Sequence, residues 1–136
     1  MKLFLDTNIF LRFLLNDAQK SYEEVVQLFE KIEEGKIKPY TSNIVILEII
    51  FVLTKTLKVN QKVVLKDIEA LLSMRGLTLI DKTHTKKALR VYKETCIKYA
   101  DCLIATQIPS DMRLCTYDQE FSRIKSLKTC KPGDII

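Results

Sequence analysis

Four acidic residues stand where carboxylates could work together: Asp6 directly after an apolar run, Glu48 inside another, Asp101 in YADCLIAT and Asp118 in LCTYDQEF. Glu48 is the most telling. Ile44 to Leu53 (IVILEIIFVL) is apolar at every other position, and no Lys or Arg lies within six residues of the acid. A carboxylate taken out of water costs several kcal/mol or takes up a proton unless positive charge compensates it. That charge comes either from a base elsewhere in the fold or from a divalent ion shared among acids, and an all-oxygen donor set suits magnesium or manganese. Taken singly, Asp6, Asp101 and Asp118 each have a simpler reading as helix or turn caps.

Other chemistries have less to stand on. Gly35, Gly76 and Gly133 are the only glycines, so neither the Walker pattern nor the dinucleotide fingerprint is present. Cys96, Cys102, Cys115 and Cys130 form no CxxC pair, and His84, the single histidine, has no ligand at zinc spacing. The cysteines are expected to pack as small apolar groups. MKLFLDTNIF lacks the pattern of a secretion signal, so reduced thiols in a cytoplasmic setting are the expectation. The chain has 136 residues, 47% hydrophobic and 29% charged, which fits one domain over residues 1–136. Net charge is +5, with +1 in the first 68 residues and +4 in the rest. That is compatible with a phosphate-rich partner without requiring one.

The elements that must position the acids follow from periodicity. KLFL reads as a strand ending at Asp6, and TNIFLRFLL as a helix that Thr7 or Asn8 caps. Ser21 and Glu24 have capping-box spacing before a helix with Val25, Leu28, Phe29 and Ile32 on one face, ended by Gly35. IKPYTS reads as a strand and Ile44–Leu53 as a buried helix, too short for a bilayer. Residues 61–74 put Val64, Ile68, Leu71 and Leu72 on one helical face, and LTLI is a strand candidate. From about Thr83 a helix carries Lys82, Lys86, Arg90 and Lys93 within one quadrant, read as a solvated face, beside an apolar arc of Ala88, Leu89, Tyr92 and Cys96. A short helix with Asp101 near its start, a strand RLCT, a helix opened by Asp118 with Phe121 inward, and a strand SLKT complete the chain. Strands and helices alternate throughout, which predicts a three-layer α/β/α fold with a mainly parallel sheet and a site outside the carboxyl ends of its strands.

Together LFLDTNIFL, YTSNIVILEI, YADCLIAT and LCTYDQEF resemble the successive motifs of PIN domains, over Met1 to about residue 130, and the size resembles the VapC-type toxins of toxin–antitoxin pairs. The resemblance implies a magnesium- or manganese-dependent endoribonuclease with Asp6, Glu48, Asp101 and Asp118 as the acidic, metal-holding quartet. The cation would acidify a water for attack on phosphorus and leave a 5′-phosphate and a 3′-hydroxyl. It also implies Asn8 and Thr116 as supports for the first and last acids, an RNA substrate, a cognate antitoxin and a homodimer. Ser42, at the small-hydroxyl position before the glutamate helix, is expected to be its N-cap. Cys102 stands where alanine is common and the loop QIPSDMR is short, neither of which touches the acids. Asp111 in that loop is expected to stay solvated.

Three other readings compete. A PIN nuclease of RNA processing shares the chemistry. A catalytically inactive PIN-fold binding module would be expected to have lost acids. A phosphatase of the haloacid dehalogenase type needs an aspartate where Asn8 stands.

Overall fold

The computed structural model describes all residues 1–136. Five parallel strands form one sheet: β1 (Lys2–Leu5), β2 (Lys38–Ser42), β3 (Thr78–Ile80), β4 (Arg113–Cys115) and β5 (Thr129–Cys130), in the order β3-β2-β1-β4-β5. Central β1 pairs with β2 through Phe4↔Tyr40 and with β4 through Phe4↔Leu114. A strand covered on both faces reads as a continuous apolar run rather than an alternating one, and Leu3, Phe4 and Leu5 are all fully buried. From β1 the chain runs outward to β2 and β3, then returns to the opposite side of β1 for β4 and β5. The reversal between β1 and β4 opens a crevice at their carboxyl ends, where Asp6 and Thr116 follow directly.

Six helices accompany the sheet: α1 (Thr7–Leu15), α2 (Gln19–Glu33), α3 (Asn43–Phe51), α4 (Gln61–Leu72), α5 (Thr85–Thr95) and α6 (Tyr99–Ala105). Their inward residues, among them Ile9, Phe10, Leu28, Ile49, Val64 and Ile104, join the strands in one cluster of 25 buried hydrophobic residues.

Several local expectations are corrected. Helix α1 starts at Thr7, so Asp6 is its N-cap residue, and the Asp6 side chain makes no capping bond. Helix α2 begins at Gln19, two residues before the supposed capping box, and Ser21 Oγ donates to the carbonyl of Ala18 instead. Ser42 does hold the N-cap position of α3, yet its hydroxyl caps nothing and has no partner although fully buried. Residues 44–53 are not buried all round. Helix α3 turns Val45 and Ile49 inward and leaves Leu47 68% and Phe51 60% exposed, because only one stripe of a helix meets the sheet. It then continues as a π-helical turn over Val52–Thr56.

On α4, Val64, Ile68 and Leu71 are buried and Leu72 is exposed. On α5 only Ala88 of the expected apolar arc is buried, with Leu89, Tyr92 and Cys96 exposed. Lys86, Arg90 and Lys93 are solvated as expected, and Lys82 precedes the helix. The last strand is Thr129–Cys130 rather than SLKT. All four cysteines are free, and Cys102, Cys115 and Cys130 lie in the core.

Candidate functional site

Asp6, Glu48, Asp101 and Asp118 come from four separate segments, Asp6 and Asp118 following β1 and β4, and lie near enough for the charges of Glu48 and Asp118 to act on both Asp6 and Asp101. Asp6 is placed by β1, whose ladder continues through the Asp6 N–H donating to the Cys115 carbonyl at 3.1 Å. Its carboxylate, 4% exposed, accepts at Oδ2 from Thr116 Oγ1 at 2.7 Å and from Asn8 Nδ2 at 3.1 Å. Burial pushes this carboxyl up to about 6, against the hydrogen bonds from Thr116 and Thr7 and with the added repulsion of Glu48 and Asp118.

Thr116, placed by β4, is the hub of a small network. While donating to Asp6, its hydroxyl accepts from Asn8 Nδ2 at 3.2 Å and from the Asp118 N–H at 3.0 Å. Asn8 Oδ1 accepts from the Tyr117 N–H at 3.1 Å. One hydroxyl thus ties the first acid to the backbone that carries the last. Asp118 also acts as a cap, accepting at Oδ1 from the Glu120 N–H at 2.9 Å to open the 3-10 turn Gln119–Arg123, which buries Phe121 as expected. Removing the hydroxyl strands the Asp118 N–H and unfixes Asp6. Thr116→Val is expected to lower activity about tenfold, typical of lost supports around a metal, whereas Thr116→Ser retains it. Matched turnover assays on the two variants check this.

Glu48 lies on the face of α3 toward α6, its side chain 18% exposed. The compensating charge that its surroundings require is Lys98, whose Nζ donates to Oε2 at 2.6 Å, and Thr7 Oγ1 donates to Oε1 at 3.0 Å. Asp101, in the first turn of α6, is almost fully buried, with Lys98 Nζ 4.0 Å from Oδ1. Burial raises its carboxyl to about 7; Lys98 opposes the shift, and Asp6, Glu48 and Asp118 reinforce it. Burial works on Lys98 in the opposite direction, but the Glu48 bond and the charges of Asp101, Glu48 and Asp6 win and raise it.

Three residues at the site were not read as site residues from sequence: Lys98, Glu120 and Thr7, the last taken only as a helix cap, whereas its hydroxyl donates to Glu48. Carboxylate oxygens of Asp101, Asp118 and Glu120 lie within 4.8 Å of one another. The signals were present as short spacings, Lys98 three residues before Asp101 on a helix and Glu120 two after Asp118. His84 is the N-cap residue of α5 and joins none of this, and Asp111 is exposed beside Lys2.

Two buried acids pushed toward protonation and three carboxylates converging together describe a cluster short of positive charge. Its oxygen-only donors suit a hard divalent cation. The residues present therefore fit magnesium or manganese, with Asp101, Asp118 and Glu120 converging and Asp6 adjoining.

No curated protein sequence matches the chain. Among solved structures it resembles VapBC2 from Rickettsia felis bound to a promoter DNA fragment, with TM-score 0.68 and 25% identity over 96% of this chain and 98% of that one. It also resembles DNA-bound VapBC from Salmonella typhimurium, with TM-score 0.72 and 19% identity over 97% and 98% of the two chains. FitAcB from Neisseria gonorrhoeae gives 0.66 and 20% over 98% and 99%. The family model for the PIN domain matches residues 3–127, a span that holds β1 from its second residue, β2, β3, β4 and every acid of the cluster. With sheet, crevice and acids agreeing with that match, the chain belongs to the PIN-domain family.

Proposed function

We propose that this protein is a divalent-metal-dependent endoribonuclease acting as the toxin of a toxin–antitoxin pair. The observation that carries the reading is the meeting of Asp101, Asp118 and Glu120 within 4.8 Å at the sheet's switch point, beside Asp6 and Glu48, with the carboxyls of Asp6 and Asp101 raised by burial and by their acidic neighbours. Magnesium or manganese held there would supply a water acidic enough to attack a phosphodiester at neutral pH. The chain's own part is to gather the acids, to orient Asp6 through Thr116 and Asn8, and to keep the Asp6–Asp101 side of the crevice dry. Glu120 adds a fifth carboxylate to the proposed metal set.

Purified protein is expected to cut a mixed RNA pool with magnesium or manganese, to stop with excess chelator, and to leave 5′-phosphate ends. Asp6→Asn is expected to be inactive. Folded, antitoxin-free protein that cuts no RNA with either metal would make the inactive binding module the better reading.

The proposed antitoxin has a candidate seat. A cavity of about 680 Å³ between α1, α2 and α4 has an apolar floor that includes Phe13, Phe29 and Met74 and a rim of Glu30, Glu33, Glu34 and Asp67. Its acidic rim and apolar floor favour a basic amphipathic segment as the occupant. The resemblance to VapBC complexes supports an antitoxin partner in general. The proposed homodimer is supported by the open apolar face of α3, where Leu47 and Phe51 stand four residues apart and largely exposed. Phe51→Asp is expected to convert a dimer to a monomer in sedimentation velocity; an unchanged dimer would move the interface elsewhere. No helix is long and apolar enough to cross a membrane, and a cytoplasmic location accords with the proposed substrate.

A further inference from the structure

The Lys98 ammonium sits among carboxylates, on the one side of the cluster where the acids do not converge by themselves. It bonds Glu48 Oε2 at 2.6 Å and lies 4.0 Å from Asp101 Oδ1. The convergent trio, Asp101, Asp118 and Glu120, includes Asp101 but not Glu48. Asp101 thus stands between two halves, one neutralised by a side chain and one with no cation against it.

The position of Lys98 makes this placement more than a surface ion pair. Lys98 is the N-cap residue of α6, where Ser, Thr, Asp and Asn are favoured and a positive charge opposes the helix dipole; it makes no side-chain capping bond there. Local helix chemistry gives no reason for a lysine at this point, whereas Glu48 and Asp101 do. Its partners are 82% and 94% buried at the side chain while Lys98 itself is 61% exposed, so the ammonium reaches in from the rim on its flexible stem.

We propose that Lys98 is a built-in cation for the Glu48 side of the cluster, so that the protein takes a single divalent ion, at Asp101, Asp118 and Glu120, with the lysine holding the place of a second. Lys98 is then a positioning residue: it keeps Glu48 and Asp101 apart in charge and together in space. This rests on the metal-dependent reading above, and the experiment separates the two.

Manganese binding is measured by the loss of the free-ion electron paramagnetic resonance signal on titrating wild type, Lys98→Met and Lys98→Arg, up to millimolar ion. The expected stoichiometry is one ion for wild type and for Lys98→Arg, which keeps the charge, and two for Lys98→Met, which does not. Metal-free Lys98→Met is expected to melt below both others at pH 8, where its acids lose their counter-charge, and to recover when manganese is added. Two ions in wild type, or one in Lys98→Met, overturns the proposal while leaving the metal-dependent reading intact. No ion in any variant overturns both and is recognised by that pattern. Because Lys98 is itself 61% exposed, every variant is expected to reach the same fold, with the loss of stability in metal-free Lys98→Met confined to its uncompensated acids.

Discussion

Asp101→Asn is expected to do two opposite things: end the proposed RNA cleavage and make the metal-free protein more stable. The carboxyl is buried, repelled by Asp6, Glu48 and Asp118, and raised to about 7. Holding it ionised at pH 8 costs folding stability up to about 4 kcal/mol, the free energy equivalent of moving a carboxyl from its usual range to that value. Asn keeps the shape and cannot ionise, so that cost vanishes. A gain on the order of 10 °C in melting temperature at pH 8 should accompany a fall in activity of more than about a hundredfold, beyond what the loss of a mere supporting residue around a metal produces. A mechanically important but chemically idle residue would instead lower both. Thermal melts without metal, beside single-turnover cleavage with it, distinguish the cases, and a destabilised Asp101→Asn protein would refute the electrostatic account.

The second large effect is in pH. Asp6 and Asp101 both titrate well above the ordinary carboxyl value of 3.8, so in the metal-free protein the folded state holds protons that the unfolded chain has already lost. Stability therefore falls as pH rises from about 4, and levels off once both groups have ionised, above about pH 7. Asp6 alone accounts for about 3 kcal/mol of that fall, and the two contributions overlap because each acid repels the other. The divalent cation of the proposed function would bind the ionised forms and have to displace the protons, so its affinity is expected to weaken as pH drops through 7 and 6. Melting temperature should then decline from pH 4 to 7 without metal, and the increment added by magnesium should grow over the same interval. A melting temperature that rises steadily across that interval without metal would contradict both raised acids.

Most of the fold was legible because its signals are local. Strand–helix alternation, the apolar run at β1 and the single inward faces of α2 and α4 follow from periodicity within a dozen residues. Asp6, Asp101 and Asp118 stand at the edges of such elements, where capping alone explains each, and only the order of four motifs resembling a PIN domain drew them together. Periodicity could not show which stripe of α3 meets the sheet, since nearly every residue from Ile44 to Leu53 is apolar, and so Leu47 and Phe51 came out exposed. Nor could it find the partner of Glu48, which lies 50 positions away. Neighbouring sequence around Glu48 contains no base because the compensating charge arrives through tertiary packing of α6 on α3. Ser42 shows the converse limit: the capping position was right, but its hydroxyl, shut in by the end of β2, bonds nothing.

The Asp6–Thr116 hydrogen bond joins residues 110 positions apart. Nearly the whole chain must therefore be made before the acidic cluster can close. At about 5 to 20 residues per second the ribosome needs about 5 to 20 seconds to travel from one to the other. Through that interval β1 lacks its β4 neighbour, and Asp118, carried beyond β4, cannot reach Asp6. A growing polypeptide of this topology cannot assemble the cluster on the ribosome that is making it until strand β4 has emerged, so the order of synthesis itself delays the site relative to the chain.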